Sequence, residues 1–359
     1  MIKTEIIDRY NAFWAHEETD RPMLNIMVKD ASADWDELAP KNPYQRWEDL
    51  EARYKWSRFC MENTKYFDAA IPHDSVNFGP GALSAMMGSD YKTDDTTVWF
   101  GVSEPFFADW SNIDELRLLK DTAMYKMVTD MTRILAERND GNYTVGISDL
   151  GGNLDILASL RGTWSLLTDL YDSPEKVLKA IEIIDEVWIE YYSLLRDMIA
   201  NSGQKGHTTW LALWCETTYY PLQCDFAAMI SPEDFKRFVM PSLRRISDFL
   251  DHSIFHWDGP DQIVHLDQLL SLERVDGIQW VPGDGVAPVW DDQWFPLYEN
   301  IQAANKCLVL HGISSVEHAL KLCNELSPKG LWLNVELKTE SEAEQLLERC
   351  RAGSESCCR

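Results

Sequence analysis

The pair of residues best placed for chemistry is His256 and Asp258, separated by one tryptophan. In a strand, residues i and i+2 face the same side. An imidazole and a carboxylate so placed can share a metal ion or act as an acid/base pair. The competing roles are structural, with Asp258 capping the next helix and His256 in a buried hydrogen bond. His311, followed by Gly312, offers a second imidazole as ligand or acid, and Glu336 offers a third metal ligand beside His256 and Asp258. Asp149 and Asp155 flank Gly151-Gly152, and a glycine pair lets backbone approach a ligand closely. A tight turn with an Asp helix cap is the alternative there. Arg161 reads as an anion clamp or as a salt bridge to a loop. Gln223 and Gln279 are candidates to orient a substrate, and Trp214 and Trp280 to wall it. Cys215 and Glu216 are weaker candidates, because a buried structural Cys is the commoner outcome.

Most of these residues fall just after short β-rich runs. The apolar patterning predicts eight strands, at 23–28, 67–72, 143–148, 207–213, 253–257, 277–281, 307–311 and 331–335. Amphipathic helices lie between most of them. The clearest begins at Ser173-Pro174-Glu175 and runs to about Asn201, with Ser as cap and Pro in the first turn. The same start recurs at Ser231-Pro232-Glu233. Alternating strands and helices imply a parallel sheet. Eight strands predict one (β/α)₈ barrel over 1–350, with an N-terminal helical extension and an irregular insertion over 73–115. In such a barrel the active site lies at the carboxyl ends of the strands, where the candidates above cluster. An open doubly wound sheet is the alternative, but no GxGxxG follows the first strand.

Composition narrows the function classes. The chain has 359 residues, and 33 basic against 59 acidic residues give a net charge of −26. A surface this acidic disfavours nucleic acid and anionic lipid. No apolar run approaches a membrane span and the first residues have no apolar signal region, so the expected location is the cytoplasm. Eight scattered Cys, none in a CxxC pair, read as reduced thiols. Residues 351–359 are expected to form a frayed tail. Serine-hydrolase, P-loop and HExxH signatures are absent.

Several segments resemble the uroporphyrinogen decarboxylase-like superfamily. They are Asp149-Leu-Gly-Gly-Asn-Leu-Asp155 through Arg161-Gly162, Gln223 through Ile230-Ser-Pro-Glu233, His256-Trp-Asp-Gly-Pro260, and Gly277-Ile-Gln-Trp-Val-Pro-Gly283. The match covers roughly residues 140–350 well. The resemblance implies a (β/α)₈ barrel and either of two chemistries. Decarboxylases of the superfamily grip substrate carboxylates with an Arg-rich N-terminal loop, and Asp68 here corresponds to their aspartate. Zinc-dependent methyltransferases act on corrinoid proteins or thiol acceptors through His-x-Cys and a later Cys. This chain has His256-x-Asp258 at that place and Glu336 near the later one. Such a set is harder than thiolate and suits zinc, manganese or iron. The expectation is a methyltransferase-type enzyme of corrinoid or one-carbon metabolism, with a corrinoid-carrying partner and a homodimer implied by resemblance. A decarboxylase and a non-catalytic protein that docks a corrinoid domain are the alternatives.

Overall fold

The computed structural model describes residues 2–17, 19–103 and 105–357, with side chains to Arg351. It is a mixed α/β fold. Its strands are β1 Met23–Lys29, β2 Thr64–Asp68, β3 His73–Asp74, β4 Tyr91–Thr93, β5 Val98–Phe100, β6 Thr144–Ile147, β7 Thr208–Thr209, β8 Tyr219–Gln223, β9 His252–Asp258, β10 Gly277–Val281, β11 Cys307–Ile313 and β12 Leu331–Leu337. Hydrogen bonds join seven of them in the order β2-β1-β12-β11-β10-β9-β8. All pairs in that sheet are parallel except β1 with β2. A second ladder, β3-β6-β7, is also parallel. The insertion carries a small antiparallel hairpin, β4 with β5.

Period-two alternation sorts the side chains of these strands. On one face Leu24, Ile26, Trp257, Trp280, Leu310 and Leu333 join the main core with the helices. On the other face Met23, Tyr219, Ile254, Val309 and Trp332 form a second apolar cluster. The helix Thr4–Trp14 supplies Tyr10, Phe13 and Trp14 to that cluster. This face therefore has an apolar base near the starts of the strands. Its residues turn polar toward the carboxyl ends, with Asn25, Gln223, His256, Gln279 and Asn334.

Two expected strands are placed differently. The 67–72 segment is extended over Thr64–Asp68, antiparallel to β1, and the next parallel pairing comes at His73–Asp74. The 207–213 segment pairs only at Thr208–Thr209. Ala212 then adopts φ 63°, His207 bridges back to Cys215, and a separate strand β8 follows. Pro221 within β8 has no N–H to donate, so Tyr219–Gln223 does not read as a strand from sequence.

Helix starts largely follow their caps. Pro174 opens the helix Pro174–Asn201, although the Ser173 hydroxyl makes no capping bond. Ser231 and Ser315 do cap, accepting from the N–H groups of Asp234 and His318. The last helix spans Glu340–Cys357, and Cys358 and Arg359 of the expected tail lie outside the described residues. No helix among the described residues is long and apolar enough to cross a membrane.

Candidate functional site

Strand β9 carries His256 and Asp258 on one face near its carboxyl end. Phe255 and Trp257 are fully buried toward the helices, while His256 and Asp258 point the other way and stay half-buried. The loop after β9 is pinned by Trp257 Nε1, which donates to the Gln262 carbonyl at 3.0 Å. Gln262 Nε2 in turn donates to the Asp258 carbonyl at 2.9 Å.

His256 is oriented by its neighbours. It lies in register with Gln223 on β8 and Gln279 on β10. Its Nδ1 lies 2.6 Å from Gln279 Oε1. An amide oxygen only accepts, so Nδ1 carries a proton and Nε2 is the nitrogen left to act as a ligand when the ring is neutral. Trp210 meets the imidazole edge-on at 5.0 Å. This is the arrangement expected of a metal-ligating histidine held by an outer partner.

The third member is Asp225, directly after β8. Ligand atoms of Asp225, His256 and Asp258 all lie within 4.8 Å of one another. Asp155 positions Asp225. Its Oδ2 accepts from the Asp225 N–H at 3.0 Å and its Oδ1 from the Phe226 N–H at 2.7 Å. Gly152 is needed for this approach, since a Cβ there would meet the Gln223 carbonyl oxygen at 2.1 Å and Asp155 Oδ2 at 2.6 Å.

Negative charge accumulates here. Burial, then the charge of Asp225, pushes the Asp155 carboxyl up to about 7. Burial also pushes Asp149 up to about 7, reinforced by Asp225 and Asp155 and opposed by the Gly151 N–H it accepts. Asp258 is raised by burial and by Asp225 and Asp284, against the pull of His256. Carboxylates this crowded and desolvated favour a bound proton or cation. The three donors fit a divalent cation with a taste for oxygen and imidazole ligands.

His311 stands beside this group. It falls where the β11–β12 register shifts between Leu310 and Ile313, and Gly312 there has φ 80°. A bulge of this kind re-aims a side chain. Burial, with the charge of His256, lowers the His311 pKa to about 3, so the ring is neutral near pH 7. Its Nε2 is buried without a hydrogen-bond partner. A cavity of about 430 Å³ at the ends of β10 and β11 is bounded by residues including Val281, Asp284, Trp290 and His311.

The other expected residues are placed elsewhere. Trp280 is fully buried on the helix-facing side, 4.9 Å from Trp257 and 5.0 Å from Trp294, so packing rather than substrate holds its ring. Trp214 sits in the apolar base, where its carbonyl accepts from Trp14 Nε1 at 2.9 Å. Arg161 is engaged by Asp169 at 2.8 Å and by the Ala108 carbonyl at 2.7 Å, which makes it a link between segments rather than a free clamp. Asp68 bonds Arg9, Arg21 at 2.5 Å and the Leu24 N–H at 3.0 Å, near the start of β1. Glu336 is exposed and lines a separate cavity at the ends of β1 and β12. Asp225, not the expected Glu336, joins His256 and Asp258 among the metal-competent donors. The signal for it was a carboxylate two residues past Gln223, obscured by the misplaced fourth strand.

No protein-family profile and no characterised protein matches the sequence. Among solved structures, a methyltransferase from Methanosarcina mazei superposes with a TM-score of 0.64, covering 98% of this chain and 99% of that one. The two sequences are 14% identical, so the likeness is one of fold.

Proposed function

We propose that the chain is a methyltransferase-type enzyme of the uroporphyrinogen decarboxylase-like superfamily, folded as a (β/α)₈ barrel. Full-length overlap with a methyltransferase supports the fold and the class. The observation that carries the reading is the convergence of Asp225, His256 and Asp258 beyond the carboxyl ends of neighbouring parallel strands. That end is where barrel enzymes place their chemistry.

In this reading His256 and the carboxylates of Asp225 and Asp258 would hold a divalent cation. When bound, the cation supplies Lewis acidity to a heteroatom of the methyl acceptor. Gln279 holds the His256 ring through Nδ1 and leaves Nε2 as the nitrogen for the cation. Asp155 fixes the Asp225 backbone through two N–H groups. Asp149, held near 7, takes the proton that the acceptor loses. His311 stays neutral and lines the neighbouring cavity with its imidazole. A corrinoid-carrying partner as methyl donor and a dimeric state accompany this reading through the resemblance alone.

Decarboxylation of a polycarboxylate is the weaker reading. It requires cationic groups around the substrate, whereas Arg9, Arg21 and Arg161 are bonded to aspartates. The strand ends instead present Asp149, Asp225, Asp258 and Asp284. The deciding experiment is metal analysis of protein dialysed against Zn²⁺ or Mn²⁺. The proposal expects one ion per wild-type chain and none in His256→Ala. Equal metal content in the two proteins would remove it.

A further inference from the structure

A second cavity opens at the carboxyl ends of β1 and β12, and nothing above gives it a role. Its volume is about 700 Å³, within the range of small-molecule sites. Met27 and Glu336 are register partners at its base, two residues beyond the paired side chains of Asn25 and Asn334. Two-residue spacing keeps all four on one face. Tyr66 on β2 stands opposite Met27. Trp35 and Trp56 form a further wall, edge to face with centroids 6.2 Å apart. Lys29 ends β1 on that face, and Lys338, just past β12, also lines the cavity.

The charges at this cavity are unequally free. Asp30 Oδ1 accepts from the Ser32 N–H at 2.8 Å and from its hydroxyl at 2.7 Å. Asp74 Oδ1 accepts from the Val76 N–H at 2.7 Å. Both carboxylates are thus committed to their own turns. Among the described residues neither Lys29 nor Lys338 has an ion-pair partner, and the Lys29 ammonium rests 5.7 Å over the Trp35 ring. Two exposed ammonium groups thus stand beside three aromatic rings and three carboxylates, two of them turned into their own loops and, among the described residues, only Glu336 without a bond.

We infer that this cavity binds a planar organic anion, with its flat body between the Trp35, Trp56 and Tyr66 rings and its acidic group at Lys29 and Lys338. Aromatic walls supply apolar contact with defined geometry. Ammonium groups supply charge-assisted hydrogen bonds to a carboxylate. The repulsion of Glu336 selects for a single anionic group held away from the cavity base. Binding itself does not depend on the metal. The ligand's role as methyl acceptor rests on the proposed function, and it would place the organic substrate across the strand ends from the cation.

The test is calorimetric titration of 2-naphthoate into metal-stripped protein, with neutral 2-naphthalenemethanol as comparator. Saturable binding at one site per chain is expected, with the alcohol weaker by about tenfold or more. The exposed pair Lys29→Gln/Lys338→Gln should weaken naphthoate by about tenfold or more with an unchanged melting temperature. Glu336→Gln should bind as well or more tightly, and His256→Ala should bind as the wild type. Absent binding, equal affinity for acid and alcohol, or full affinity in the double lysine variant would overturn the inference. Loss of binding in His256→Ala would also overturn it, by placing the ligand at the other site. None of these failures touches the metal stoichiometry that tests the proposed function.

Discussion

Replacing Gln279 with leucine tests the support of the metal site without touching a ligand. Gln279 is 4% exposed and its Oε1 lies 2.6 Å from His256 Nδ1. Leucine keeps most of the volume and removes the acceptor. The imidazole then loses the bond that fixes both its plane and its tautomer, and Nε2 no longer presents a lone pair in a set direction. Outer-shell partners of this type contribute about 10- to 100-fold to metal affinity, or about 1.4–2.7 kcal/mol. The loss of a buried neutral bond contributes about 1 kcal/mol to folding, so the variant remains folded. Competition for Zn²⁺ against a chromogenic chelator measures the affinity directly. A Gln279→Leu protein that melts like the wild type and binds zinc within twofold of it would refute the reasoning. It would show that His256 is held by something else or is not a ligand.

Other outcomes follow from the same geometry. Burial raises the Asp149 carboxyl to about 7 from an unfolded value near 3.8. A raised carboxylate binds its proton in the folded state first. Its stabilisation is therefore complete below about pH 4 and is lost as pH rises through 7. In the metal-free protein this contributes a few kcal/mol more stability at pH 5 than at pH 8. Denaturant unfolding at the two pH values should show that difference shrinking in Asp149→Asn, which keeps the acceptor for Gly151; an unchanged difference would contradict the account. Asp68→Ala should cost about 3–5 kcal/mol in chemical unfolding, because it strands Arg9 and Arg21 without their shared carboxylate. Its zinc affinity should stay at the wild-type value, and a selective loss of zinc binding would return Asp68 to the site.

Much of the second half of the fold was legible because β9 to β12 are buried apolar runs separated by amphipathic helices. The expected 277–281 matches β10, and β9, β11 and β12 extend one or two residues past their expected ends. His256 and Asp258 were legible from strand alternation alone. Asp225 was not, because Pro221 disguises β8, the strand that Asp225 follows. Arg161 and Asp68 looked chemical because a sequence shows a charge without its partner. Asp169 and the pair Arg9 and Arg21 are brought to them only by tertiary packing. Trp280 shows the same limit for aromatics, since one position along a strand decides between cavity and core.

The most direct measurement is an anomalous-scattering map from crystals soaked in Zn²⁺. The account predicts one peak at about 2.0–2.2 Å from His256 Nε2 and from carboxylate oxygens of Asp225 and Asp258. A peak held by other residues, or an ordered triad with no peak at saturating zinc, would contradict it.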